Sequence, residues 1–298
     1  MFHLVKRSFS TAAEKFATIG RNDIKSTVKL DYLTFNPDFV EAVKSPIVLY
    51  HGKFTTKHLW TPIADTLANA TQRQVLSVDL RNHGGSEYTT IDGSHVPLMA
   101  LDMKQFMDEQ NIRKAILFGH SLGGRAMMQM AFYFPEMVEK LIVFDMGFNI
   151  PTKPLSFLYL FDQFLLHFIE TVDANLTLEE AKMQIRNLLL KQIKDVFFVQ
   201  VIADTLEKVN GKFQYSFNIE VMYESLWKGR VHHLDVTKPY EGHSLFIYGN
   251  TGFVIEEDFI SIRTVFPNVK FEHIDTGHYG MVEKPDLFSQ RVSEFINN

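Results

Sequence analysis

Short, continuous apolar segments alternate along the chain with longer segments whose apolar residues recur at helical spacing. The strand candidates occupy residues 45–50, 74–79, 114–118 and 138–145, and the helix candidates between them occupy residues 58–70, 96–110 and 126–134. Continuous apolar runs of this length are typical of strands buried on both faces. The alternation predicts an α/β fold with a mostly parallel, doubly wound sheet. Residues 26–35 alternate between apolar and polar positions, which predicts an additional, half-exposed edge strand.

The strand–helix alternation stops between about residues 148 and 238. Three segments of helical character fill this region, at residues 157–169, 178–190 and 194–206. The first is apolar on nearly every side, as expected of a helix that covers a pocket. Strand candidates resume at residues 243–249 and 270–275, and an amphipathic helix at residues 286–296 ends the chain. We therefore predict one domain over residues 21–298, with a helical cap inserted at about 148–238.

The strand candidate at 114–118 runs directly into Gly119-His120-Ser121-Leu122-Gly123, which fits the pattern Gly-x-Ser-x-Gly. A strand before this pattern and a helix after it give the context of a nucleophile elbow. Glycines flank the serine because the turn is too tight for side chains beside the neighbouring strand and helix. Ser121 is the candidate nucleophile, at a helix start whose free N–H groups and dipole favour negative charge.

A serine hydroxyl needs a base that removes its proton during attack. His278 follows the last strand candidate in Thr276-Gly277-His278 and precedes the last helix. A loop in this position lies at the same edge of the sheet as the elbow. In this topology the histidine comes last in chain order, after the serine and the acid. His278 is therefore the candidate general base.

The acid partner of this histidine has two possible positions. After the strand candidate at 243–249, Gly252 stands where an aspartate would be expected, and Glu257 and Asp258 lie later in a helical first turn. Asp145 instead ends the strand candidate that follows the elbow helix. From that position a carboxylate can fix the tautomer of the histidine and stabilise the imidazolium. We favour Asp145, with Glu257 or Asp258 as alternatives.

An acyl-transfer site also needs two backbone N–H donors for the oxyanion. The amide of Leu122, directly after the nucleophile, is expected to supply the first. The turn that begins at His51-Gly52 is expected to supply the second, from the amide of Lys53.

Composition narrows the functional classes. The 298 residues include 46% hydrophobic residues and 27 phenylalanines, and the net charge is −5. This charge gives no electrostatic basis for nucleic-acid binding. The absence of cysteine excludes disulfides and thiolate nucleophiles. No apolar run approaches the ~20 residues of a membrane span. Neither a phosphate-binding glycine loop nor a set of ligands at metal spacing is present, so we predict no cofactor and no metal.

The first 20 residues differ from the rest of the chain. Lys6, Arg7 and several hydroxyl residues precede the first acidic residue, Glu14. A basic, serine-containing and acid-poor start is typical of a mitochondrial transit peptide. We therefore predict a transit peptide over residues 1–20 and a mitochondrial location.

From about Leu30 to the C-terminus the chain resembles the α/β-hydrolase superfamily. The matching segments are His51-Gly52, Asp79 to Gly84, Gly119 to Gly124 and Gly277-His278. Within the superfamily it looks most like the yeast mitochondrial ethanol acetyltransferases, through its leader, its Asp-Leu-Arg-Asn-His-Gly and Gly-His-Ser-Leu-Gly-Gly-Arg motifs, and Asp145. It departs from that family at Lys53-Phe54-Thr55, where a more apolar, glycine-containing turn is expected.

The resemblance implies acetyl transfer from acetyl-CoA, as the acyl-donor substrate, to ethanol, with thioesterase and esterase side reactions. The residues alone imply only an acyl-enzyme at Ser121 that passes its acyl group to an alcohol or to water. The alternatives are a plain carboxylesterase or thioesterase and a non-catalytic binding protein of the same fold. The expected partners are small molecules, and the sequence does not give the oligomeric state.

Overall fold

The computed structural model of the protein describes residues 27–39, 44–90, 95–149, 152–227, 234–251 and 253–298. Gly252 and the leader at residues 1–20 lie outside this range. The transit peptide and the mitochondrial location therefore stay predictions.

Seven strands form the central sheet, with the bounds β1 Tyr32–Phe35, β2 Ile47–Tyr50, β3 Val75–Val78, β4 Ala115–His120, β5 Val138–Phe144, β8 Ser244–Tyr248 and β9 Val269–His273. They lie in the order β1-β3-β2-β4-β5-β8-β9. β1 pairs antiparallel with β3 at one edge, and the remaining pairs are parallel. β2, β3 and β4 are buried along their whole length, as their continuous apolar sequence predicts. The predicted, mostly parallel sheet with an edge strand is confirmed.

Helices cover both faces of this sheet and form two separate hydrophobic clusters with it. On one face lie α2 (Val96–Glu109), α3 (Leu122–Tyr133) and α8 (Glu256–Val265). On the other face lie α1 (Thr61–Thr71), the short α9 (Gly280–Glu283) and α10 (Pro285–Asn297). Short 3₁₀ helices at Lys57–Trp60 and Pro135–Met137 lead into α1 and β5.

The insert between β5 and β8 has its own hydrophobic cluster. It contains α4 (Thr152–Thr171), α5 (Leu178–Leu190), α6 (Val196–Asp204) and α7 (Ile219–Trp227). A two-stranded hairpin lies between α6 and α7, with strands β6 (Leu206–Val209) and β7 (Lys212–Tyr215). The sequence pattern predicts only helical segments here, so the hairpin corrects that prediction. None of the helices in the described part of the chain is long and apolar enough to cross a membrane.

The hairpin connects the insert to the sheet. The amide of Gly84 donates to the carbonyl of Ser216 at 2.7 Å, and the amide of Asn218 donates to the carbonyl of Asn82 at 2.8 Å. These bonds join the loop after β3 to the chain that leaves the hairpin. The insert is therefore held over the carboxyl ends of the central strands.

Candidate active site

Ser121 lies at the sharp turn between β4 and α3. Its backbone has φ 52° and ψ −121°, a left-handed conformation that a non-glycine residue adopts only where its surroundings enforce it. The amide of Ser121 donates to the carbonyl of Phe144 at 3.0 Å, which ties the turn to β5. The strained serine between a buried strand and a helix has the geometry of a nucleophile elbow.

The glycines around the elbow are required by close backbone contacts. A side chain at Gly123 would overlap the carbonyl oxygens of Tyr50 and His51, and one at Gly119 would overlap the backbone of α3. A Cβ atom at Gly52 would lie 2.9 Å from the Cβ of Ser121. The turn after β2 therefore packs so closely against Ser121 that no side chain fits between them.

Asp145 follows β5 and also has a positive φ, of 50°. Its side chain is fully buried, and its Oδ2 atom lies 2.6 Å from Nδ1 of His278. The same carboxylate accepts hydrogen bonds from the hydroxyl of Thr251 at 2.7 Å and from the amide of Gly249 at 3.1 Å. Three donors therefore fix the carboxylate, and the carboxylate fixes the orientation of the imidazole.

The strand order explains why these residues meet. β4, β5, β8 and β9 are consecutive, parallel neighbours in the sheet. Ser121, Asp145, Thr251 and His278 each lie in the segment that follows the carboxyl end of one of them. Four segments that are distant in sequence thus meet at one edge of the sheet, beneath the insert.

The two alternative acids lie elsewhere. Asp258 is buried and accepts hydrogen bonds from the backbone amides of Asn149 at 2.7 Å and Ile255 at 3.0 Å. It therefore braces the start of α8 and the loop after β5. Glu257 is exposed on α8. Of the three predicted acids, Asp145 is the one that bonds to His278, although its catalytic role stays a prediction.

The two expected oxyanion donors belong to the two segments that pack next to Ser121. Leu122 is the first residue of α3, so its amide has no acceptor within the helix. Lys53 follows Gly52, whose backbone contacts Ser121. His51 supports this turn, because its Nδ1 lies 2.8 Å from the carbonyl of Gly52 and its Nε2 accepts from the amide of Leu80 at 3.0 Å.

His120 lies beneath the candidate base. The centres of the His120 and His278 rings are 4.4 Å apart, and Phe144 stacks on the other side of His120 at 5.5 Å. Burial and the neighbouring His278 hold the pKa of His120 well below its usual value of 6.5. His120 is therefore a neutral packing partner that supports the ring of His278.

The polar loop after β3 has a structural role beside the site. The carboxylate of Asp79 accepts from the backbone amides of Lys57 at 2.6 Å and Gly85 at 2.9 Å and from the ammonium of Lys57 at 2.5 Å. Arg81 and Asp102 form a second, fully buried ion pair, with Nε 2.6 Å from Oδ2. The bonds of Asp79 with Lys57 connect the loop to the segment after β2, and the Arg81–Asp102 pair connects it to α2.

Two side-chain contacts at the site are not predicted from the sequence. The hydroxyl of Thr251 supports Asp145, and the ammonium of Lys53 lies 2.6 Å from Oδ2 of Asp162 in α4. Each contact joins residues more than 100 positions apart, and no local pattern marks either pair. Within the described segments, no group of three potential ligands could hold a metal ion.

Comparison with known proteins agrees with this geometry. A family profile described as alpha/beta hydrolase fold matches residues 45–285. The chain is 30% identical over 257 residues to "sn-1-specific diacylglycerol lipase ABHD11" of Xenopus laevis, which covers 85% of this chain and 80% of that protein. It is 27% identical over 278 residues to "Ethanol acetyltransferase 1" of Cyberlindnera jadinii, with coverage of 85% and 80%.

Solved structures show the same fold. The structure described as "Marine microorganism esterase" superposes with a TM-score of 0.74 at 23% identity, and the match covers 90% of this chain and 100% of that one. The α/β fold with a mostly parallel sheet, predicted from the strand–helix pattern, is confirmed by this likeness.

Proposed function

The chain belongs to the α/β-hydrolase family, and we propose that it is a serine-dependent esterase and acyltransferase that works through an acyl-enzyme at Ser121. Its relatives support esterase or lipase activity at the level of the superfamily. The observation that carries the proposal is the 2.6 Å contact between Asp145 and His278 at the sheet edge that also holds Ser121.

Each proposed catalytic residue has one step in this mechanism. With its Nδ1–H bonded to Asp145, a neutral His278 leaves its Nε2 as the atom that can accept a proton. Nε2 takes the proton of Ser121 Oγ while this oxygen attacks the acyl carbon of an ester or thioester. The amides of Leu122 and Lys53 stabilise the negative charge on the carbonyl oxygen. The leaving alcohol or thiol then takes the proton from His278.

Deacylation repeats these steps with a second nucleophile. His278 removes a proton from water or from an alcohol, which attacks the acyl-serine, and Ser121 regains the proton. Hydrolysis and transfer therefore differ only in which molecule lies beside His278 when the ester carbonyl is attacked.

We further propose acetyl-CoA as the acyl donor and ethanol as the acceptor, so that the transfer product is ethyl acetate. The 27% identical relative named as an ethanol acetyltransferase supports this choice. The buried position of Ser121 also supports it, since a site closed to bulk water favours an alcohol that is held in an apolar pocket. We propose that the insert, which has its own hydrophobic cluster, forms a wall of this pocket.

Hydrolysis of a glyceride is the second candidate, because the 30% identical relative is named as a diacylglycerol lipase. It uses the same acyl-enzyme and differs in its longer acyl chain and in water as the acceptor. Acyl-chain preference, measured with p-nitrophenyl esters of increasing length, separates the two candidates.

Labelling and product analysis test the proposal. A fluorophosphonate probe should label the protein at Ser121, and Ser121→Ala should lose both labelling and p-nitrophenyl acetate hydrolysis. Absence of labelling in the natural protein would favour a non-catalytic protein instead. With acetyl-CoA and ethanol as substrates, we expect gas chromatography to detect ethyl acetate. Formation of acetate alone would be consistent with esterase activity and would refute the proposed acetyl transfer to ethanol.

The leader supports one further proposal, import into mitochondria. Residues 1–20 fused to a fluorescent protein should direct it to mitochondria, and Lys6→Glu with Arg7→Glu should abolish that targeting. A diffuse cytosolic signal from the unaltered fusion would refute the prediction.

A further inference from the structure

A buried ion pair connects the oxyanion turn to the insert. The side chain of Lys53 is 7% exposed, and that of Asp162 in α4 is fully buried. The ammonium of Lys53 lies 2.8 Å from Oδ1 and 2.6 Å from Oδ2 of Asp162, so it bonds to both oxygens of the carboxylate. Lys53 stands where the resemblance to the yeast ethanol acetyltransferases predicts a more apolar, glycine-containing turn.

The surroundings of this pair are apolar. The ring of Phe54 lies 4.5 Å from the Lys53 ammonium, and the same ring contacts Phe161 at 5.2 Å and Phe217 at 5.6 Å. Burial lowers the pKa of Lys53 and raises the pKa of Asp162, and each effect is opposed by the attraction between the two groups. A buried pair of this kind usually contributes no more to folding stability than well-packed apolar side chains. Stability alone therefore does not explain its presence.

The pair is well placed to act on the site. Gly52 contacts Ser121, and Lys53 follows it directly. The next residue, Phe54, has a positive φ of 65°, so the turn is held in a conformation that an isolated chain would rarely adopt. The side chains of both Lys53 and Phe54 contact the insert. The backbone of residues 52–54 is thus held by packing against Ser121 at one end and by contacts with the insert at the other.

We propose that the Lys53–Asp162 ion pair is a positioning device that couples closure of the insert to formation of the oxyanion hole. While the pair is intact, α4 holds the Lys53 side chain and thereby the direction of the Lys53 amide. If the insert moves away from the sheet, the pair separates and this amide loses its alignment with the carbonyl oxygen. The inference rests on the proposed acyl-enzyme function, and neither side chain is itself a catalytic group.

The test separates positioning from stability by replacing both partners together. Lys53→Met or Asp162→Leu alone leaves one buried charge without its partner and should lower the melting temperature. The double variant removes both charges and should regain most of that loss. We expect it nevertheless to show a kcat for p-nitrophenyl acetate lower by about 100-fold, which is the loss typical of a misplaced active-site group and the smaller end of the loss caused by removing one oxyanion donor. KM should change little.

A trifluoromethyl ketone provides the second readout, because its adduct with Ser121 places an oxyanion in the hole. Its affinity for the double variant should fall by about the same factor as kcat, since both depend on the same donor. If the double variant keeps the kcat and the inhibitor affinity of the natural protein, the pair has only a packing role and the inference is wrong.

A matched control uses a pair at the opposite end of the sheet. Arg73, before β3, bonds to Glu139 at the start of β5 with Nη2 2.8 Å from Oε1. Arg73→Met with Glu139→Leu should leave kcat and inhibitor affinity unchanged; an equal loss there would overturn the positioning role. Failure of the natural protein to react with the fluorophosphonate would refute the proposed function and this inference with it. A natural protein that reacts, together with a double variant of unchanged kcat, would refute only the positioning role of the ion pair.

Discussion

Replacement of Asp145 by asparagine is the sharpest test of the proposed catalytic acid. Asparagine has nearly the same size and tolerates the positive φ of 50° at this position, so the backbone need not move. Three groups now donate to the carboxylate: His278 Nδ1, Thr251 Oγ1 and the amide of Gly249. The asparagine side chain has a single oxygen and can accept from only some of them. If the amide NH₂ faces His278, it stabilises the tautomer whose Nε2 carries the proton.

That tautomer cannot accept the proton of Ser121. In serine hydrolases with this arrangement, the same change lowers kcat by about 10⁴-fold, and the loss of stabilisation for the imidazolium contributes to it. We therefore expect Asp145→Asn to lower kcat for p-nitrophenyl acetate by about 10³- to 10⁴-fold. Fluorophosphonate labelling should slow by a comparable factor, and the melting temperature should change by only a few degrees.

Asp258→Asn is the matched control. This buried carboxylate bonds to Asn149 and to the amide of Ile255 and has no contact with His278 among its described hydrogen bonds. We expect a stability loss of about 1–2 kcal/mol and a kcat close to that of the natural protein. Unchanged turnover in Asp145→Asn together with lost turnover in Asp258→Asn would refute the assignment of the acid.

Three further changes test the support around the site. Gly123→Ala should prevent folding, because its methyl group would overlap the carbonyls of Tyr50 and His51; soluble, active protein would contradict this. Thr251→Val removes one donor to the proposed acid and should lower kcat by roughly fivefold, the equivalent of about 1 kcal/mol; no change in kcat would argue against that support. Burial lowers the pKa of His83 from 6.5 to about 3. As the pH is lowered, this side chain therefore takes up a proton in the unfolded chain before it does so in the folded protein, and the folding stability should fall between pH 6.5 and pH 3. Urea unfolding at several pH values should show this slope, of about 1 kcal/mol per pH unit, reduced in His83→Gln; an unchanged slope would contradict it.

The sequence predicts the sheet and the elbow well because their signals are local. Short, mainly apolar runs mark β2 to β5, and Gly119 and Gly123 mark the turn around Ser121. The position of Asp145 can be inferred because β4 and β5 follow one another in the chain and pair as parallel neighbours. The topology thus places the end of β5 beside Ser121 before any contact is known.

The hairpin of the insert also has a local signal, which the helical interpretation overlooked. Asn210-Gly211 lies between two short alternating segments, and both residues have positive φ values, of 51° and 81°. This dipeptide between alternating apolar positions is a strong hairpin signal. By contrast, the pairing of Lys53 with Asp162 joins residues 109 positions apart. Tertiary packing alone determines that contact, so no sequence window could predict it.

Under the proposed function, the choice between ethanol and water as the acceptor depends on the insert. An alcohol at about 50 mM is outnumbered by bulk water by roughly 1,000 to one, so dominant transfer needs a preference of about 4 kcal/mol. Burial of an ethyl group supplies about 1.6 kcal/mol, at about 0.8 kcal/mol for each carbon. The remainder has to come from keeping water away from the acyl-serine. The motifs at Ser121 and His278 explain acyl-enzyme formation equally well in a lipase and in a transferase. The transferase additionally requires an insert that keeps water out, and the Lys53–Asp162 pair holds the insert to the oxyanion turn.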